Sequence, residues 1–532
     1  MKIETTDLGE LGLHPSPAVR GALETGQIAG LPVLRAVSEV PEPVDRWGAE
    51  VRSANVAAWR AGLAPLSAPP QVLASLDQLA RPGTLAVVTG QQPGFLVSPL
   101  YSLIKAVQAV KLAAELQAKW QRPVVPIFWN HADDHDIAEV HHSYIQNRNL
   151  DLQKVSISGL SSGKEPISRI HLSREGNGLD AIEAFLQQNF GMYPHCQAAL
   201  DVLMPRDGES LPRACTRVML EWLGHTGLVP IKPDWLRPAF SNALADILAS
   251  DPEAALLEGS HGGSIDPSGA ALLFQLHGDE RYAWRLAPGG LREDGSDEVL
   301  SPNALAERIR QEPERWSAGA LLRPIVQDLV LPNVAYVGGL GELQYHLQVV
   351  EVRRRMNAPI TAFAPRVSIT QVDPESQASL DKGGFTLEQV ILAKGELEPE
   401  DENLAIPPVF AEIRAILDEA QAALRGKRKA LAEVEPSLDS GLRRAADQMG
   451  QGIEKVLDKA LRIHQNKGGT GKRHARRLNN RLMPRGVLQE RVLGPIEFYA
   501  RYGHAWLEAF IEAVPALSHS HLALTLIPDE TR

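Results

Sequence analysis

Between residues 131 and 142 the chain carries three aspartates, one glutamate and four histidines in twelve positions. The run His131-Ala132-Asp133-Asp134-His135-Asp136 follows directly on the apolar stretch Pro123-Val124-Val125-Pro126-Ile127-Phe128-Trp129-Asn130, and His141 and His142 come soon after. Carboxylates and imidazoles this close hold shifted pKa values and handle protons near neutrality. Asp133, Asp134, His135 and Asp136 are therefore the candidate catalytic residues. Two other readings stay open. Asp133, His135, Asp136 and His141 offer oxygen and imidazole ligands to a divalent ion, although the spacing is not a zinc pattern such as H-E-x-x-H. Alternatively the segment is a helix start whose acids complement the dipole.

These residues need a frame. The apolar run before them reads as a buried parallel strand, and a second such run, Leu85-Ala86-Val87-Val88-Thr89, stops at Gly90 and Gly94 with a helical pattern beyond. Ser98 is placed to cap that helix and Pro99 to occupy its first position, with Leu100, Leu103, Ile104, Val107, Val110 and Ala114 on its apolar face. Strand, helix and strand make a right-handed βαβ unit. The turn Thr89-Gly90-Gln91-Gln92-Pro93-Gly94 then faces a positive helix terminus, where anions settle in open α/β sheets. The pattern recurs at Asn333 to Val337, which runs into Gly338 and Gly339, with Glu342 and Tyr345 in the following helical turn. There Glu342 is either a good first-turn residue or a counter-ion to a bound amine. Another strand at 227–231 brings Asp234 toward the same edge, and a hairpin is expected at 272–276 and 281–286 with Gly278 and Asp279 in its turn.

The chain has 532 residues, enough for two or more packed units, and a formal net charge of −11 that disfavours a nucleic-acid partner. Cys196 and Cys215 are its only cysteines, too few for a disulfide framework. Neither a signal core at the start nor an apolar run of about 18 to 20 residues occurs, so the expectation is a cytoplasmic protein with no membrane partner. Near the N-terminus two packing helices are expected, at 44–62 and 70–79.

Past residue 397 the texture changes to an acidic, proline-bearing linker and then to heptads. Phe410, Leu417, Leu424, Leu431 and Leu438 recur every seven residues, with Ile413, Ala420 and Val434 at the second apolar position. After Pro436 and Gly441 the repeat resumes with Leu442, Met449 and Val456 beside Ala446, Ile453 and Ala460, which predicts an antiparallel coiled-coil hairpin. Residues 467–485 carry seven Lys or Arg and no acid. That segment is a solvated helix end or, through Lys472 and Arg473, a contact for nucleotide phosphate.

Taken together these stretches resemble the bacillithiol-biosynthesis cysteine-adding enzyme family, the cysteine ligase BshC. The resemblance rests on Val88-Thr89-Gly90-Gln91-Gln92-Pro93-Gly94 with Pro99-Leu100-Tyr101 and Lys105, and on Pro126-Ile127-Phe128-Trp129 leading to Asp134-His135-Asp136. Leu322-Arg323-Pro324 through Gln327-Asp328, Ala335-Tyr336-Val337-Gly338-Gly339, the heptads, Leu488-Gln489-Glu490-Arg491 and Ala500-Arg501-Tyr502-Gly503 agree in order. Departures are Asp133, where the family commonly has Glu, and Pro93, where it often has Ala.

The resemblance implies an α/β protein: a Rossmann-like parallel-sheet core over 1–400 with connecting segments at about 145–225 and 235–320, a coiled-coil arm over 404–470, and a C-terminal segment, 471–532, packing back on the core. It implies a homodimer and addition of cysteine to glucosaminyl-malate by amide formation. It also adds Tyr101, Lys105, Gln327 and Asp328 to a substrate-binding set that includes Thr89, Gly90, Gln91, Gln92, Gly94, Gly338, Gly339, Glu342 and Tyr345. Ligase chemistry implies an adenine nucleotide, ATP or ADP, although the chain has no ATP-grasp, P-loop or H-x-G-H motif; no metal is assigned. The alternatives are a metal-dependent hydrolase or transferase on Asp133, His135 and His141, and a non-catalytic coiled-coil scaffold.

Overall fold

Leu85, Ala86, Val87 and Val88 are all fully buried, as a strand covered on both faces requires. In the computed structural model they form the strand Leu85–Gln91 at the middle of a five-stranded sheet. The spatial order is Ala362–Pro365, Asn333–Gly338, Leu85–Gln91, Val124–Asn130 and Val229–Ile231, and all neighbours are parallel. Counted by appearance in the chain this is 5-4-1-2-3, the doubly wound order, with its switch point between Leu85–Gln91 and Asn333–Gly338. The structure describes residues 1–13, 17–41, 47–147, 150–160, 163–250, 252–253, 256, 265–398, 408–435, 438–465 and 470–526.

The helix after the first core strand is Tyr101–Trp120. Ser98 does not cap it: a 3-10 turn over Phe95–Val97 intervenes, with Leu96 and Val97 at positive φ, and the capping position falls on Leu100. Ala114 is exposed, and the buried face runs instead through Leu103, Ile104, Val107, Leu112, Ala113 and Leu116. Helices Ala49–Leu63 and Pro70–Leu79 precede the sheet. Between the second and third core strands lie the hairpin His142–Gln146 with Leu152–Ser156 and the helices Leu179–Phe190, Cys196–Leu203 and Leu211–Leu223. Between the third and fourth lies the helix Arg237–Ala249 and an antiparallel five-stranded sheet that contains the expected hairpin, Leu273–His277 with Glu280–Ala287.

The chain divides into two compact units, Met1–Asp373 with Val487–Arg532, and Pro374–Gly486. In the first, the strand Ser520–Thr525 pairs antiparallel with Lys2–Asp7 and parallel with Ser368–Val372. The helix Ile496–Ala513 stacks Trp506 between Phe498 and Phe510, at 5.8 and 5.4 Å between ring centroids.

The second unit begins at Pro374, earlier than the expected boundary near 400, because helices Pro374–Gly383 and Leu387–Leu392 pack on Thr470–Leu482. Its long helices, Val409–Val434 and Leu438–Gln465, run antiparallel: Gln421 Nε2 donates to the Ala446 carbonyl at 3.1 Å while Arg414 pairs with Glu454 at 3.6 Å. Leu417, Ala446 and Leu457 are buried along the seam. Val456 is 66% exposed while Leu457 is 3% exposed, so the apolar register of the second helix slips by one residue there. Val434, at 77% exposed, also lies off the seam. Pro436 lies outside the described residues. No helix among the described residues is long and apolar enough to cross a membrane.

Candidate active site

At the switch point the carboxyl ends of the first and fourth core strands are joined by side chains. Lys105, buried one turn into the helix Tyr101–Trp120, donates to the Gly90 carbonyl at 2.9 Å and to Gln91 Oε1 at 3.0 Å, and forms an ion pair with Glu342 across the sheet. Glu342 also accepts from the Gly339 amide at 2.7 Å, from Tyr336 at 2.8 Å and from Tyr345 at 3.2 Å. Burial would raise the Glu342 carboxyl, but Lys105 and these donors outweigh it and hold the group below the usual carboxylate range. Burial pulls Lys105 below an ordinary lysine against the pull of Glu342. Arg323 donates to the Tyr345 hydroxyl at 3.0 Å and to His131 Nε2 at 3.2 Å. His131 accepts that bond because burial, then Arg323 and Lys105, hold it well below its ordinary pKa and leave it neutral. Lys105 thus pairs with Glu342 directly, and Arg323 reaches it through the Tyr345 hydroxyl.

Across the crevice, the loop after Val124–Asn130 carries the acidic cluster. Gln92 Nε2 donates to Asp134 Oδ2 at 2.6 Å, and the amides of His135 and Asp136 donate to Asp134 Oδ1. Burial raises Asp134, yet the Gln92 hydrogen bond, Arg281 and those amides hold it low. The carboxylate is therefore a firm anion and a weak base. His135 Nδ1 lies 2.9 Å from Arg281 Nη1, and burial followed by the Arg281 charge lowers its pKa. Arg281, 4% exposed, has its nearest carboxylate oxygen, Asp134 Oδ1, 4.0 Å away, and its Nε has no hydrogen-bond partner among the described residues. Burial lowers it to about 10. Exposed Asp136 and Glu139 border the cluster, and Glu139 is raised by burial and by Asp136 and Asp134.

Asp133 acts on Arg281 through its charge but makes its hydrogen bonds elsewhere. It faces the buried Arg237, whose Nη1 donates to it at 2.9 Å and to the Trp316 carbonyl at 2.8 Å. That pair ties the acidic loop to the inserted sheet. His141 Nδ1 meets the Ile137 carbonyl at 2.8 Å. With Asp133 and His135 held by arginines and His141 by backbone, no group of three or more such residues among those described is arranged to hold a metal ion.

The remaining expected residues divide into several groups. Gln91 Nε2 donates to the Tyr101 hydroxyl at 3.3 Å, and Arg366, paired with Glu490 at 2.6 Å, lies over the Tyr101 ring. Thr89 is buried and donates to the Val337 carbonyl at 2.8 Å, so its hydroxyl ties strand to strand. A Cβ on Gly90 would stand 2.6 Å from His131 Nε2, and one on Gly338 2.7 Å from the Phe363 ring; both glycines make room for side chains of the protein itself. Gly94 precedes the 3-10 turn.

Gln327 and Asp328 lie on the helix Arg323–Val330 and are buried. Asp328 pairs with Arg353 and Asn333 at the opposite, amino-terminal edge of the sheet, and the Gln327 side-chain amide has no hydrogen-bond partner among the described residues. Asp234 pairs with Lys232. Lys472, half-buried, and Arg473, exposed, belong to the second unit on Thr470–Leu482, and residues 466–469 lie outside the described residues.

Sequence reasoning did not single out Arg281, Arg323, Arg237 or His131 as site residues. Arg281 is 146 positions from the histidine it meets, and no local pattern links them.

A doubly wound core with a polar crevice at its switch point, joined to a helical hairpin unit, defines a Rossmann-like protein with a coiled-coil domain. The family profile described as "Bacillithiol biosynthesis BshC, N-terminal Rossmann-like domain" matches residues 48–367, and "Bacillithiol biosynthesis BshC, C-terminal coiled-coil domain" matches 369–526. The chain belongs to the BshC family of bacillithiol biosynthesis. Relatives named "Putative cysteine ligase BshC" occur in Koribacter versatilis, 29% identical over 84% of this chain and 85% of the relative, and in Salinibacter ruber, 26% identical over 84% of each. A further one, from Solibacter usitatus, is 27% identical over 81% of this chain and 82% of the relative.

Proposed function

We propose that the protein is a ligase that joins the carboxyl of L-cysteine to the amine of glucosaminyl-malate, the last step of bacillithiol synthesis. The observation that carries this reading is the division of charge across the crevice. Arg281, whose nearest carboxylate oxygen lies 4.0 Å away, and Arg323, which donates to Tyr345 and His131, suit the carboxylates of a malate group, while Asp134, Asp136 and Glu139 suit an amine.

In this reaction the amine loses a proton, its lone pair forms the C–N bond, and a carboxyl C–O bond breaks, its oxygen leaving as water overall or on phosphate where ATP would supply the activation. Asp134 is held low and already saturated with donors, and His135 Nδ1 faces a guanidinium, so Glu139 is the better proton acceptor. Its Glu139→Gln variant should lose the acid limb of the pH–rate profile. The two buried free cysteines fit a reducing cytoplasm, and the heptad helices fit a homodimer.

The test is to incubate the purified full chain with cysteine and glucosaminyl-malate, with and without ATP, and to detect the product by mass. Amide product in either arm supports the reading, and the comparison of arms assigns the nucleotide requirement. Absence of product from both arms overturns it.

A further inference from the structure

The geometry assigns Arg281 as a positioning residue that fixes the proton of His135 on Nε2, so that His135 serves the crevice as a hydrogen-bond donor and not as a proton acceptor. A guanidinium carries only donors. A ring nitrogen 2.9 Å from Arg281 Nη1 can therefore join it only as an acceptor, which leaves Nδ1 bare and Nε2 protonated. The arrangement is held from several sides. Arg281 Nη2 donates to Ser317 Oγ at 3.2 Å, its guanidinium lies over the Phe274 ring at 3.9 Å, and the His135 ring meets the same Phe274 edge-on at 5.5 Å. One half-buried phenyl ring from the inserted sheet thus contacts both partners.

The charges around the imidazole are Asp134 and Asp136 on its own loop, Arg281 on Glu280–Ala287, and Lys164 from the segment whose carbonyl accepts the Arg281 amide at 2.8 Å. The two aspartates favour a second proton and the two cations oppose it, and that proton would have to enter at Nδ1, directly against the guanidinium. Burial and Arg281 prevail, and His135 titrates below the ordinary value. Nε2–H is then the group left to donate to an oxygen of a bound substrate. This role rests on the reading of the crevice as the ligase site; the tautomer does not.

Two measurements test the inference. In the full chain labelled with 15N-histidine, with His135 assigned through His135→Gln, the Nδ1 signal should be of the unprotonated type and the Nε2 signal of the protonated type, persisting below the ordinary midpoint of about 6.5. In Arg281→Met the two tautomers should mix and the midpoint should rise, and Arg281→Lys should restore part of the wild-type behaviour. An Nδ1–H tautomer in the wild type overturns the assignment, even where Arg281→Met does not fold. An unchanged tautomer in folded Arg281→Met overturns it as well.

The second measurement uses turnover. The amide of His135→Gln keeps a donor near the Nε2 position, so it should retain activity within about tenfold, whereas His135→Ala should lose about 10²-fold or more. Equal losses in the two variants overturn the donor role. If the wild type forms no amide product, the proposed reaction fails while the tautomer stands or falls on the spectra alone.

Discussion

Lys105 and Glu342 form an ion pair that links the helix after the first core strand to the helix after the fourth, across the point where the sheet reverses its strand order. Each partner also holds backbone: Lys105 the Gly90 carbonyl, Glu342 the Gly339 amide. The pair therefore fixes both glycine turns of the crevice at once.

Removing one partner of such a pair strands the other in a poorly solvated site. Lys105→Met should lower unfolding free energy by about 3 to 5 kcal/mol. The double variant Lys105→Met/Glu342→Gln should cost less than the sum of the singles by about 2 kcal/mol. Urea denaturation of the four proteins measures both. Additive losses would show that the two side chains act independently.

Asp133 and Asp134 are adjacent in the chain and opposite in expected effect. Asp133→Asn leaves Arg237 short of its counter-charge and should destabilise the fold by roughly 3 kcal/mol, while Asp133→Glu, which keeps the carboxylate, should recover most of that loss. Asp134→Asn removes an anion that suits the substrate amine, and should leave the thermal midpoint within a few degrees and reduce turnover by about 10²-fold. The assignment of roles would be reversed if Asp133→Asn proved stable but inactive.

Acid should weaken the fold through neutral histidines. His346 is buried and His131 half-buried, and burial first, with nearby cations next, holds both well below the ordinary histidine pKa. The unfolded chain takes up protons at these positions below about pH 6.5 while the folded chain does not. Stability is thus fully present above that pH and is lost as pH falls from there toward the depressed folded values, at up to about 1.4 kcal/mol per pH unit for each group. His131→Gln, which can still accept from Arg323, should reduce the slope of unfolding free energy against pH between 6.5 and 5. An unchanged slope would remove His131 from the account.

The shifted seam of the second long helix has a direct check. Leu457→Asp should cost about 2 to 4 kcal/mol in the arm and lower its helical signal, whereas Val456→Asp, one position away and mostly exposed, should cost within about 0.5 kcal/mol. Circular dichroism of both variants on heating distinguishes this register from the strict seven-residue repeat.

What the sequence alone determined is the part governed by local periodicity and chain connectivity. The short apolar runs within Leu85–Gln91, Val124–Asn130 and Asn333–Gly338 are buried parallel strands, being too short for a buried helix and rich in branched side chains. Glycines at the strand ends marked the turns, and heptads marked the hairpin of long helices. Tertiary structure alone decided which charges meet. Glu342 read as a helix-start acid or an amine counter-ion, and the fold gives it Lys105 from 237 positions away. Asp133 read as catalytic, and a distant arginine claims it. His135 read as a base, and Arg281, delivered by an inserted sheet with no local signature, occupies the nitrogen a base would use. Periodicity reports which face of an element is covered. The partner of a buried charge is set by long-range packing, because in a site of low dielectric each ion must find its compensation wherever the fold brings it.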